Sequence, residues 1–141
     1  MRKQAYIFIT NPMNGCDALK YFDLHCDTLF ECKKQSCSLL QNHLHVDYRR
    51  LSEYDAPTQV FAIWLDDSVR GTEAIVKFRE LYELFLKENV YSRVNAILSI
   101  ENGIALGGEI ENVSLYHELG VKIMTLVWNG KNELGSGAME T

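Results

Sequence analysis

The chain has 141 residues, 47% of them hydrophobic, with 14 basic and 19 acidic side chains and a formal net charge of −5. That length and apolar share suffice for one domain with a core. The charge balance shows no basic stripe interleaved with aromatics, which argues against nucleic acid, and no apolar run reaches the ~18 residues a membrane span needs.

The first fifteen residues, MRKQAYIFITNPMNG, hold two basic residues and a short apolar patch at 5–9. The patch is too short for a secretory signal and no small-residue cleavage site follows, so a cytoplasmic protein is expected. The four cysteines, Cys16, Cys26, Cys32 and Cys37, match neither paired CxxC motifs nor a zinc ribbon, and reduced thiols are the default.

Residues 21–28 read as the first strand. A polar, irregular stretch follows to about residue 55, with a short helical turn expected at 48–53. The apolar run QVFAIWL, 59–65, has the character of a strand covered on both faces. Residues 72–88 form the clearest helix, with Thr72 as a cap and Ile75, Phe78, Tyr82 and Phe85 on one stripe. A strand is expected at 94–100, a helix at 109–119 ended by Gly120, and a strand at 121–127. NGKNELGSG then reads as a mobile loop. No repeat, linker or low-complexity segment interrupts this α/β alternation. Parallel strands with right-handed crossovers follow, in either a doubly wound sheet or part of a (β/α)₈ barrel.

Within DLHCDTL, strand alternation would send His25 and Asp27 to one face. A buried imidazole and carboxylate are costly unless an ion pair or a metal compensates them. Such a pair offers one nitrogen and one oxygen to Zn²⁺, and an ordinary His–Asp hydrogen bond is the simpler alternative. In SIENG, Glu101 closes an apolar strand and Gly103 permits close backbone approach. Strand C-termini collect function in parallel α/β proteins, so Glu101 is expected at the same end, as a bridging carboxylate or a solvated acid. NHLHVD offers His43, His45 and Asp47 in a second metal-like run, but a loop without rigid support favours packing or supporting roles. His117 is expected on a helix surface. Trp128 and Asn129 belong to a turn at the strand-end rim. No GxSxG, P-loop, HExxH or GxGxxG is present.

Five segments, YFDLHCDTL, HVDYRRL, QVFAIWL, SIENG and LYHELGVKIMTLVWNGKNELGSGA, occur in an order that resembles the membrane (renal or microsomal) dipeptidase family of zinc peptidases. The resemblance covers roughly residues 21–138. It implies a zinc-dependent dipeptidase on a (β/α)₈ TIM-type barrel, of which this chain is the N-terminal half with about four parallel strands. His25 and Asp27 would be first-strand zinc ligands, and Glu101 would bridge two zincs. His45, Asp47, Trp128 and Asn129 are the substrate-pocket or supporting candidates. No catalytic acid is identified in the chain, since the family's further histidine ligands and its acid–base aspartate lie on later strands. Trp128 stands where many members have a histidine.

The expected division is an N-terminal extension at 1–20 and a partial hydrolase barrel at 21–141. Fewer zincs than two, a dipeptide substrate, a homo-oligomer that pairs the open sheet edges, and little turnover by the chain alone are expected. The alternatives are a non-catalytic self-associating half-barrel and another metal-dependent barrel amidohydrolase.

Overall fold

A computed structural model describes residues 19–89 and 93–140. The expected N-terminal extension, with its apolar patch and Cys16, lies outside the described residues apart from Leu19 and Lys20. In chain order the elements are β1 (Lys20–Cys26), α1 (Thr28–Gln35), α2 (Tyr48–Leu51), β2 (Asp55–Trp64), α3 (Gly71–Glu88), β3 (Asn95–Glu101), a 3₁₀ turn (Gly103–Leu106), α4 (Asn112–Glu118), β4 (Val121–Thr125) and a small hairpin of β5 (Lys131–Asn132) and β6 (Gly135–Ser136).

The four main strands pair β1-β2-β3-β4, every pair parallel. Strands that add in sequence order in one direction build half of a barrel. A doubly wound sheet would reverse direction at a switch point, so that alternative is set aside.

Register decides what each face carries. Cys26, Phe61 and Leu98 are aligned across β1 to β3, and Ile63 aligns with Ile100. These side chains join Phe78 and Phe85 of α3 and Tyr48 of α2 in the core beneath the helices. Each such large apolar side chain contributes ~1.5–3 kcal/mol on burial. Phe78 stacks on Tyr116 at a centroid distance of 3.9 Å, which ties α3 to α4. The opposite face carries Ala62 beside Ser99 and Trp64 beside Glu101. On the outer strands, Phe22 and Leu24 of β1 and Ile123 of β4 remain exposed.

Several expectations shift. β1 stops at Cys26, and Thr28 already belongs to α1. Helix α1 was not foreseen, because Glu31, Lys33 and Lys34 obscure its short stripe of Leu29 and Cys32. Thr72 does not cap α3; Arg70 occupies the N-cap without a side-chain capping hydrogen bond. The buried stripe of α3 is Ala74, Phe78, Leu81 and Phe85, turned slightly from the expected one, with Ile75 and Tyr82 only partly covered. The helix expected from 109 begins at Asn112, and the last strand ends at Thr125. Gly120 follows α4 at φ 96°, the left-handed conformation expected of a terminating glycine. NGKNELGSG is folded as the β5–β6 hairpin, with Gly137 N–H donating to the carbonyl of Gly130 at 2.9 Å.

No helix among the described residues is long and apolar enough to cross a membrane.

Candidate metal centre

His25 is the penultimate residue of β1, within a register irregularity between Asp23 and Cys26. Asp27 is not a strand residue, contrary to the alternation argument. It sits at the N-cap of α1 with φ −92° and ψ 20°, and its side chain makes no capping hydrogen bond. The carboxylate turns instead toward His25. Glu101 ends β3, two strands away.

The three side chains meet at the C-terminal edge of the sheet. His25 Nε2 lies 3.2 Å from Asp27 Oδ1 and 3.1 Å from Glu101 Oε2. One ligand atom from each residue falls within 4.8 Å of the others, and among the described residues no other trio of His, Cys, Asp or Glu side chains converges in this way. The group is partly buried, with Glu101 the most covered at 12% side-chain exposure. Hydrogen bonds to Asp27 and then Glu101 outweigh burial and push His25 up to about 9. Both carboxylates thus favour the protonated form of the His25 imidazole.

The donor set fits a divalent metal. One imidazole nitrogen and two carboxylate oxygens suit Zn²⁺, and bonds of ~2.0–2.2 Å in tetrahedral array set neighbouring donor atoms ~3.3–3.6 Å apart. The separations of 3.1 and 3.2 Å about His25 lie close to that spacing, and the Asp27 and Glu101 donors lie within 4.8 Å of each other.

A network that sequence reasoning missed holds this edge in place. Asn102, fully buried at φ 86°, donates to Asp67 Oδ1 at 2.8 Å and to the carbonyl of Leu65 at 3.3 Å. Its own Oδ1 accepts from Asn132 Nδ2 at 2.8 Å. Asp67 also accepts from the backbone N–H of Gly130 at 2.8 Å. The segments that follow β2, β3 and β4 are therefore joined directly beside Glu101. A left-handed non-glycine residue is costly, so its retention here reflects how many bonds this one side chain completes. The only sequence signal is an Asp or Asn just past each strand. Gly103 bears out the expectation of close approach: a Cβ there would lie 2.7 Å from the carbonyl oxygen of Leu126.

The remaining candidates divide. Asp47 is buried and caps α2, accepting from Arg50 N–H at 2.8 Å, Arg50 Nε at 2.9 Å and Asn42 N–H at 3.2 Å. Its carboxylate is thereby committed to local structure rather than to a pocket. His45 is exposed, and His43 bonds to Gln35 at the surface. His117 is exposed in the last turn of α4. Trp128 packs edge-on against Trp64, centroids 5.2 Å apart, and Trp64 meets Phe30 the same way at 4.6 Å. Trp64 Nε1 is buried without a hydrogen-bond partner among the described residues. The carbonyl of Asn129 accepts from Met139 N–H at 3.1 Å, closing the rim hairpin.

Comparison with known proteins places residues 83–141 in match with the family model described as membrane dipeptidase (Peptidase family M19). The fold resembles the crystal structure of dipeptidase AC, a metallopeptidase of family M19, with a TM-score of 0.62 and 16% identity over 78% of this chain and 42% of that one. It also resembles a metallopeptidase from Rhodobacter sphaeroides bound to a phosphinate mimic of the dipeptide L-Ala-D-Ala, with a TM-score of 0.65 and 17% identity over 80% of this chain and 46% of that one. The chain thus spans less than half the length of either solved structure. A comparison with curated proteins gives no match.

Proposed function

We propose that this chain is the N-terminal half of a metal-dependent dipeptidase barrel and that His25, Asp27 and Glu101 hold a catalytic divalent cation, zinc by the chemistry of the donors. The convergence of these three side chains, from the end of β1, the N-cap of α1 and the end of β3, is the observation that carries the reading. The family match and the two structural resemblances support it at the level of family and fold.

The residues divide the work as follows. A bound cation supplies Lewis acidity, acidifying water and polarising a peptide carbonyl. His25 presents Nε2 and Asp27 presents Oδ1, while Glu101 has two oxygens and can serve a second cation. Loading the site requires the proton that His25 Nε2 shares with the carboxylates to leave, so uptake is coupled to proton release. Trp64 lies beside Glu101 in the sheet and, with Trp128, supplies an apolar wall that limits water at this edge. The Asp67–Asn102–Asn132 network holds the backbone that follows Glu101 against the segments after β2 and β4. The substrate would be a dipeptide whose scissile carbonyl lies over the strand ends.

The test is metal content per chain after dialysis against trace zinc, for wild type and for Asp27→Asn/Glu101→Gln. About one zinc per wild-type chain, lost in the double variant, is expected. Zinc retained by the double variant overturns the assignment. Dipeptide hydrolysis is measured alongside, with His25→Ala as control.

The exposed Phe22, Leu24 and Ile123 on the outer strands favour a second reading, a half-barrel that self-associates without turnover. Sedimentation distinguishes it: a monodisperse monomer rules it out.

A further inference from the structure

The end of α1 opposite the metal-binding residues carries a second chemical feature. Ser36 sits at φ 53°, and Cys37 N–H donates to the carbonyl of Cys32 at 3.0 Å. This is the six-to-one bond of a Schellman motif, whose flanking positions usually make an apolar contact. Here both positions are cysteines, and their sulfurs lie 2.9 Å apart. Both thiols are free, with Cys32 buried and Cys37 partly exposed.

We propose that Cys32 and Cys37 form a redox-active dithiol that closes to an intrachain disulfide by exchange with a low-molecular-weight disulfide.

Three observations carry this. The helix-ending turn holds the two sulfurs within ~1 Å of the ~2.0 Å bonding distance, so closure needs side-chain rotation rather than refolding. A cavity of ≈ 440 Å³ opens on both cysteines and is bordered by Lys33, Lys87, Ser38 and Glu88, which gives a reagent a way in. Its two lysines, of which Lys33 also pairs with Glu80, suit a reagent that bears carboxylates. Asn42 Nδ2 donates toward Cys32 Sγ at 3.7 Å, from where an amide can support negative charge on that sulfur.

The electrons balance as two successive exchanges. The Cys37 thiolate attacks one sulfur of the reagent, forming a mixed disulfide and releasing one thiol. Cys32, after losing its proton to solvent, attacks Cys37 Sγ, forming the internal disulfide and releasing the second thiol. The dithiol is oxidised by two electrons and the reagent disulfide is reduced by two. Burial, ahead of the hydrogen bond shared with Cys37, pushes the Cys32 thiol up, which suits it to the second step rather than the first.

The full chain is incubated with oxidised glutathione and its intact mass and free thiols are followed. The expected product has lost two hydrogens, and its titratable thiols fall from four to two. Trypsin cuts after Lys33 and Lys34, between the two cysteines, and a glutamate-specific protease cuts after Glu31, which separates Cys32 from Cys26, so the double digest should contain one Cys32 peptide and one Cys37 peptide that separate only on reduction. Cys32→Ser should accumulate a stable glutathione adduct on Cys37, and Cys37→Ser should leave Cys32 unmodified. If Cys32→Ser does not fold, the wild-type peptide map and Cys37→Ser decide the matter. A persistent adduct on wild-type Cys37, a link through Cys16 or Cys26, or four free thiols after incubation overturns the proposal.

Discussion

The chain contains the spacing His-x-Asp twice, and the two copies have opposite fates. In His25-Cys26-Asp27 the pair sits at a strand end, and a second acid arrives from β3 to meet it. In His45-Val46-Asp47 the same spacing lies before α2, where Asp47 turns inward to cap the helix and bind Arg50, while His45 faces solvent. A short motif therefore carries no site by itself. A site arises where the sheet brings a third donor to the pair, whereas the Asp47 carboxylate is spent on the N–H groups of Arg50 and Asn42.

The sharpest way to break this contrast is to remove Asp47. Asp47→Ala strips the N-cap of α2 and leaves Arg50 without its acid, and should lower stability by about 2–3 kcal/mol, read by urea unfolding. Zinc content per folded chain should be unchanged. Loss of zinc at constant fold would show that the two copies are one site after all.

Asp67→Ala acts on the rim that supports the first copy. It takes one of two acceptors from the Asn102 amide and the side-chain acceptor from the Gly130 N–H, and should cost about 2 kcal/mol. Because Glu101 adjoins Asn102, zinc affinity should also fall by roughly tenfold, a typical effect of disturbing groups behind metal ligands. Competitive titration with a chelating indicator measures it.

A smaller effect comes from acid. Burial would raise the Asp47 carboxyl, but hydrogen bonds from the backbone and side chain of Arg50 hold it below the usual range. A group depressed in the folded state contributes its full stability above the unfolded value of ~3.9 and loses it as pH falls through the folded value. Wild type should therefore lose stability below pH ~4 more steeply than Asp47→Asn, which lacks this contribution. Parallel acid unfolding curves for the two proteins would refute the assignment.

His45→Ala should change least, within about 0.5 kcal/mol in stability and with no change in zinc content. A measurable loss of metal there would place a ligand where the structure puts an exposed imidazole.

Much of this molecule was legible before any coordinates. The apolar runs around Phe61 and Leu98 announced buried strands, and the long amphipathic pattern around Phe78 announced α3. Their alternation implied parallel pairing, and the acid closing β3 pointed to the strand-end edge. Local chemistry is sufficient for such features, because burial periodicity and chain direction are written residue by residue.

Tertiary structure alone decided the rest. The sequential order β1-β2-β3-β4 distinguishes half a barrel from a doubly wound sheet, and strand order has no periodic signature. The end of β1 at Cys26 and the start of α1 at Thr28 escaped the pattern, because only two buried apolar residues, Leu29 and Cys32, mark so short a helix. Asp27 reaches His25 from a helix cap rather than by strand alternation, and Asn102 accepts a left-handed backbone to join three loops. These arrangements depend on groups up to 76 residues apart in sequence, as Glu101 is from His25. Only the packed sheet brings such groups within reach, so residue types and local spacing name the donors while the fold chooses which of them meet.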